Sequence, residues 1–256
     1  VAFDIAVFFV LPLLLVIVVT VLAGRRARAR SEEYDSDSVS FVGGVLCAMF
    51  TVVLAFFVVF AWQNGADLDS HATAESDAVL DTYWQMAVVP QPDADAVRTL
   101  LSQYARQVAD REWPALTDGR DEPEVADTIV ALRAAVTALP IDAEVVAEAR
   151  KQALQNLRTI DEHHRARVAM ATSTDAFTIA LLVGTAFGAV LMIAFPLIFG
   201  LSRRPANLVL MVLLTVTLSA TMYVSWQLMH PLEGFFGATP DVFRAALDEM
   251  TAQSGT

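Results

Sequence analysis

The chain has 256 residues, 55% of them hydrophobic, with 29 acids against 17 Lys or Arg and a formal net charge of −12. So apolar a composition excludes a disordered chain and exceeds what a soluble globular protein usually carries. The acidic balance, with no basic stripe carrying interleaved aromatics, excludes a nucleic-acid platform, and the single cysteine, Cys47, excludes an intrachain disulfide.

The apolar excess is concentrated in four blocks, Ile5 to Leu22, Phe41 to Trp62, Ala176 to Leu201 and Leu208 to Met229, none of which contains Lys, Arg, Asp or Glu. Each approaches or exceeds the ~20 residues that cross ~30 Å of hydrocarbon as a helix. The first differs from a cleaved signal peptide, because its basic cluster of Arg25, Arg26, Arg28 and Arg30 follows the apolar run. With Arg203 and Arg204 in the loop between the third and fourth blocks, these arginines assign both short loops to the cytoplasm. Both termini and the long segment between the second and third blocks then lie outside. The near absence of lysine against many Arg and Ala fits a GC-rich bacterial genome, hence a bacterial plasma membrane.

Within the second block, Gly43, Cys47, Thr51 and Ala55 recur every four residues as a strip of small side chains, and Phe50, Phe56, Phe57 and Phe60 crowd its second half. The strip is a candidate for helix packing or for a wet path. Phe50 and Phe57 share a face and are candidates for a dry neck.

Residues 63–174 carry 19 Asp or Glu against 10 Lys or Arg, a net of −9. Helical periodicity recurs there, in Val97, Leu101, Tyr104 and Val108, in Val125, Ile129, Leu132, Val136 and Leu139, and in Val146, Ala149, Ala153, Leu157 and Ile160. Asp121 and Glu124 resemble a capping box, Asp93 and Asp142 are placed to cap helices, and Glu112-Trp113-Pro114 reads as a helix end. Asp161 with His164, and His71 with Glu75, have helical ligand spacing, but two ligands on one helix make no metal site. With no phosphate-binding loop, nucleophile elbow or zinc motif, no catalytic, cofactor or metal residue is assigned.

In the third block Gly184 and Gly188 form a G-x-x-x-G for close helix approach. In the fourth, Thr217, Thr221 and Ser225 either bond back to their own helix or line water. No charge lies mid-membrane, which argues against a proton-coupled pump or a voltage sensor. After His230-Pro231, the Thr239-Pro240-Asp241 start signal opens a short helix with Phe243, Ala246, Leu247 and Met250 on one face.

The expected architecture is therefore all-α: a polytopic membrane protein of four transmembrane helices with an inserted extracytoplasmic helical domain. Residues 1–62 form the first helix pair, 63–174 the acidic domain, 175–229 the second pair and 230–256 the tail. The order of Ala61-Trp62, Ala74-Glu75, Glu112-Trp113-Pro114-Ala115, Leu157 to Arg167, His230-Pro231-Leu232-Glu233-Gly234 and Thr239-Pro240-Asp241-Val242-Phe243 resembles the bacterial bestrophin-like domain family. The resemblance implies a channel-like homo-oligomer in the lipid bilayer. The other function considered is a non-catalytic scaffold or accessory subunit that binds an envelope or membrane-complex partner through its outer domain.

Overall fold

A computed structural model describes residues 36–172, 176–198, 205–230, 232 and 237–254. Among the described residues there is no strand. The helices are α1 (Ser36–Gln85), α2 (Asp93–Gln107), α3 (Trp113–Thr117), α4 (Pro123–Ala138), α5 (Glu144–Thr172), α6 (Ala176–Ile198), α7 (Pro205–Met229) and α8 (Asp241–Ser254). A single turn of 3₁₀ helix, Met86–Val88, follows α1, and a π-helical turn, Val108–Glu112, joins α2 to α3. Three helices are long and apolar enough to cross a membrane, with the spans falling in Asp37–Val88, Thr178–Pro196 and Val209–Met229. The first apolar block and both short basic loops lie outside the described residues.

The chain divides into two compact units, one of residues 1–63 and 175–229, the other of 64–174 and 230–256. The C-terminal tail thus belongs with the acidic helical segment. Gly65 does not interrupt α1, whose 50 residues run through both units and extend about 75 Å at 1.5 Å per residue. Whether α5 continues into α6 depends on residues 173–175, outside the described set.

In the helical unit the periodic stripes converge on one core. Val97, Leu101 and Tyr104 of α2, Val125, Ile129, Leu132 and Val136 of α4, and Val146, Ala153, Leu157 and Ile160 of α5 are all buried in it. They meet Val79, Tyr83 and Met86 from the end of α1 and Phe243, Ala246 and Met250 of α8. Two bonds fix α8 beside α1: Ser76 Oγ donates to Val242 O at 3.0 Å and Tyr83 OH donates to Met250 O at 3.1 Å.

Helix starts differ from the sequence expectation. Pro123 opens α4 with Glu122 at the N-cap and no side-chain cap, so Asp121 and Glu124 form no capping box. Glu124 instead binds Arg111 at 2.8 Å. Asp93 is the first residue of α2 and Pro92 its cap. In α2 a proline takes the cap position assigned to the acid, and in α4 a proline, whose fixed φ suits the first turn, opens the helix after a glutamate cap. The turn after α3 closes at Gly119, φ +70°, where Gly119 N–H donates to Leu116 O and Arg120 N–H to Ala115 O, a Schellman arrangement that needs the left-handed region.

Candidate functional site

The helical unit buries five polar side chains in contact with one another. Arg167, on α5, is fully buried, as are Glu75 on α1 and Glu112 at the end of the π turn. The guanidinium donates from Nε to Glu75 Oε2 and from Nη2 to Glu75 Oε1, both at 3.1 Å, and from Nη2 to Glu112 Oε2 at 2.5 Å. Tyr104 OH donates to Glu75 Oε1 at 2.6 Å, and His164 Nε2 lies 2.6 Å from Glu112 Oε1. The Arg167 cation also sits 5.3 Å from the Trp113 ring centroid and 5.6 Å from that of Phe243, a distance at which ring quadrupoles attract it. Four separate stretches, α1, α2 to α3, α5 and α8, meet at one guanidinium.

The local sequence explains how Glu112 and Trp113 both reach this point. Pro114 has no N–H to give to the carbonyl one turn back, and the Trp113 N–H bonds to Val108 O, five residues away. The wider turn changes the phase of the helix, so that Val108 and Ala109, and then Glu112 and Trp113, are buried as adjacent pairs. The helix therefore continues through Glu112-Trp113-Pro114 and ends at Thr117, correcting the sequence reading of a stop.

Burial would drive these groups toward neutrality, and mutual interaction reverses it. Burial pushes the Glu112 carboxyl up, but the His164 hydrogen bond, then the Arg167 charge, outweigh it and hold the group below its ordinary value. Burial likewise lowers Arg167, and the charges of Glu75 and Glu112 more than restore it, so the guanidinium stays charged. Tyr104 is raised well above its ordinary value by burial and by the Glu75 charge, which keeps the phenol protonated as a donor. Within this cluster, Arg167 Nη1 is left without a partner. The grooves described on this unit are lined by other residues, including Trp84 and Val145 in one and Ile141 and Lys151 in the other. With all five side chains buried, the network is closed to solvent, and it ties helices together.

The two ligand pairs suggested by helical spacing are separated. Glu75 turns to Arg167, while His71 Nδ1 lies 2.7 Å from Nδ1 of His163 on α5. His164 turns to Glu112, and Asp161 pairs with Arg133 at 3.2 Å and with Arg165. Among the described residues no three His, Cys, Asp or Glu gather as a metal group.

In the membrane unit the strip and the phenylalanines are each divided, since Gly43 is half-buried and Phe56 is exposed. Cys47, Thr51 and Ala55 are exposed on the single chain, and Thr51 Oγ1 bonds back to Cys47 O at 2.8 Å. Phe57 is fully buried, and Phe50 packs beside Ile193, Met211 and Leu218. A Cβ added at Gly43 would lie 2.7 Å from the Phe195 ring and one at Gly188 2.5 Å from the Phe50 ring, whereas Gly184 faces open space. Thr217, Thr221 and Ser225 each donate to the carbonyl four residues back, at 2.9, 2.9 and 2.8 Å.

No curated protein and no solved structure matches the chain. The family model of the Bestrophin-like domain matches residues 6–243. Together with three helices apolar enough to span a bilayer, that match makes the chain a membrane protein that belongs to the Bestrophin-like domain family.

Proposed function

We propose that the protein is a homo-oligomeric, channel-like protein of the bacterial plasma membrane, conducting ions along the Cys47, Thr51 and Ala55 face of α1. The observation that carries this reading is the division of α1 into two faces. Phe50 and Phe57 are taken up in packing within the subunit, while Cys47, Thr51 and Ala55 stay exposed. Small side chains leave room for water, and a strip of them permits close approach of a second copy. The back-bonded Thr51 hydroxyl satisfies its own proton and still presents an oxygen acceptor along that face.

The test is ion flux into liposomes that contain only the purified protein. Wild type should conduct, and Thr51→Trp should reduce flux at least about tenfold by filling the strip with an indole. A silent wild-type protein under every gradient and voltage would overturn the proposal. The second reading, a non-conducting scaffold that uses its outer domain to hold an envelope partner, would then stand. The Arg167 network favours it to this extent, since its buried ion pairs brace the helices of the unit against one another.

A further inference from the structure

We propose that His71 and His163 form a weak, exchangeable binding site for an imidazole-preferring divalent metal such as Zn²⁺ or Cu²⁺. The proposal does not depend on the channel reading. The two imidazoles come from different helices, α1 and α5, and face each other through Nδ1 at 2.7 Å, with ring centroids 5.0 Å apart. In the metal-free pair one Nδ1 must carry the proton that the other accepts. A metal takes that proton's place, with the proton moving to Nε2 of the same ring, and accepts the Nδ1 lone pair of each ring.

The geometry is close to what this requires. Metal–nitrogen bonds of ~2.0–2.1 Å in tetrahedral geometry set the two nitrogens about 3.3 Å apart, so the rings need open by roughly 0.6 Å. Both side chains are only half-buried, which leaves room for that movement and a route for the ion. The backbone beneath them is held. Glu75 and Arg167, each four residues further along the same two helices, form the bidentate buried ion pair between α1 and α5. Two imidazoles on a braced frame lose little freedom when they bind, which is the condition for a preorganised site.

The same facts bound the site's strength and selectivity. No third His, Cys, Asp or Glu completes a group here among the described residues, so water fills the remaining positions and the ion exchanges readily. Imidazole nitrogen suits Zn²⁺, Cu²⁺ and Ni²⁺, while Mg²⁺ and Ca²⁺ require oxygen. Because the ligands must be neutral, protons compete with the metal and acid should release it.

Isothermal titration of the full-length protein in detergent with Zn²⁺ alone tests the proposal. Wild type should bind one Zn²⁺ per chain, and His71→Gln or His163→Gln should each weaken binding at least about tenfold, since each removes one of two protein ligands. Cys47→Ser should change nothing, and millimolar Ca²⁺ should not displace the Zn²⁺. Undiminished binding in either histidine variant, or displacement by Ca²⁺, assigns the ion to the acidic surface and overturns the site. Should a variant fail to fold, the Cu²⁺ electron paramagnetic resonance spectrum of wild type decides. Coupling to two nitrogens supports the site, and coupling to one or none sinks it.

Discussion

Arg167 shows how a single side chain can be both costly and necessary. An unpaired guanidinium in a dry core is strongly unfavourable, and two carboxylates, a phenol and two aromatic faces surround this one to offset that cost. Breaking such a set from one side leaves the remaining charges uncompensated, typically at about 3–5 kcal/mol. Glu112 offers the cleanest probe, because its folded-state value lies below the ordinary 4.5. A carboxylate shifted downward on folding contributes stability that is complete above that ordinary value. The contribution is lost as pH falls through the lower folded value. Glu112→Gln should therefore destabilise the helical unit by about 3 kcal/mol at pH 7, with the gap to wild type narrowing once the pH drops below the carboxylate range. Thermal unfolding followed by circular dichroism from pH 7 to pH 3 measures it. A constant gap across that range would mean Glu112 is not the titrating member. The sequence carries a trace of the cluster. The α5 stripe of Val146, Ala149, Ala153, Leu157 and Ile160 continues in phase to His164 and Arg167, and Glu75 sits between Ala72 and Val79 on α1. Polar residues on an apolar stripe announce buried partners. Their identities were illegible because they lie 29 to 92 residues away, from Tyr104 with Glu75 to Glu75 with Arg167.

At the scale of elements, burial follows periodicity wherever a helix is regular, and departs from it at the π turn. The stripes of α2, α4 and α5 were readable because 3.6-residue spacing dictates which side chains face the core. The π turn was not, because one extra residue per turn cancels that spacing locally and Pro114 is equally at home just after a helix end. Glycines pose the same problem in the membrane unit. Gly184 and Gly188 are alike in sequence, yet only Gly188 is pressed against a neighbour, Phe50. A Cβ at 2.5 Å from that ring cannot be accommodated unless the ring moves. Gly188→Leu should lower the thermal stability of the isolated protein by about 1–3 kcal/mol, the usual range for overpacking, and Phe50→Ala should partly rescue it. A Cβ at Gly184 meets no atom of the described residues within 4 Å, so Gly184→Leu should change that stability less than Gly188→Leu does. Any loss it causes in cross-linked oligomers therefore reports on contact between copies. Equal effects of the two substitutions on single-chain stability would contradict the packing described here.

At the scale of the whole molecule, what matters is which side of the membrane holds the helical unit. Arginines at a membrane edge are held in the cytoplasm because positive charge near a span resists translocation, and the effect is strongest in short loops. The two loops that carry Arg25, Arg26, Arg28, Arg30, Arg203 and Arg204 are short. Arg158, Arg165 and Arg167 precede the third block but sit in a long folded segment, where the rule has little force. One of them, Arg167, is neutralised by its buried partners, and Arg165 is paired with Asp161. The expectation that the helical unit lies outside rests on the two short loops. The prediction is therefore that, in a Cys47→Ser background, Ala131→Cys reacts with a membrane-impermeant thiol reagent on intact spheroplasts and Ser38→Cys does not. Ala131 is exposed on α4 of the helical unit, and Ser38 stands at the start of α1 beside the first basic loop. Permeabilisation should make Ser38→Cys reactive and leave the Ala131→Cys signal unchanged, which separates a cytoplasmic position from a merely unreactive one. Labelling of Ser38→Cys but not Ala131→Cys in intact spheroplasts would place the helical unit in the cytosol. The arginine loops would then have to be overruled by some other feature of insertion.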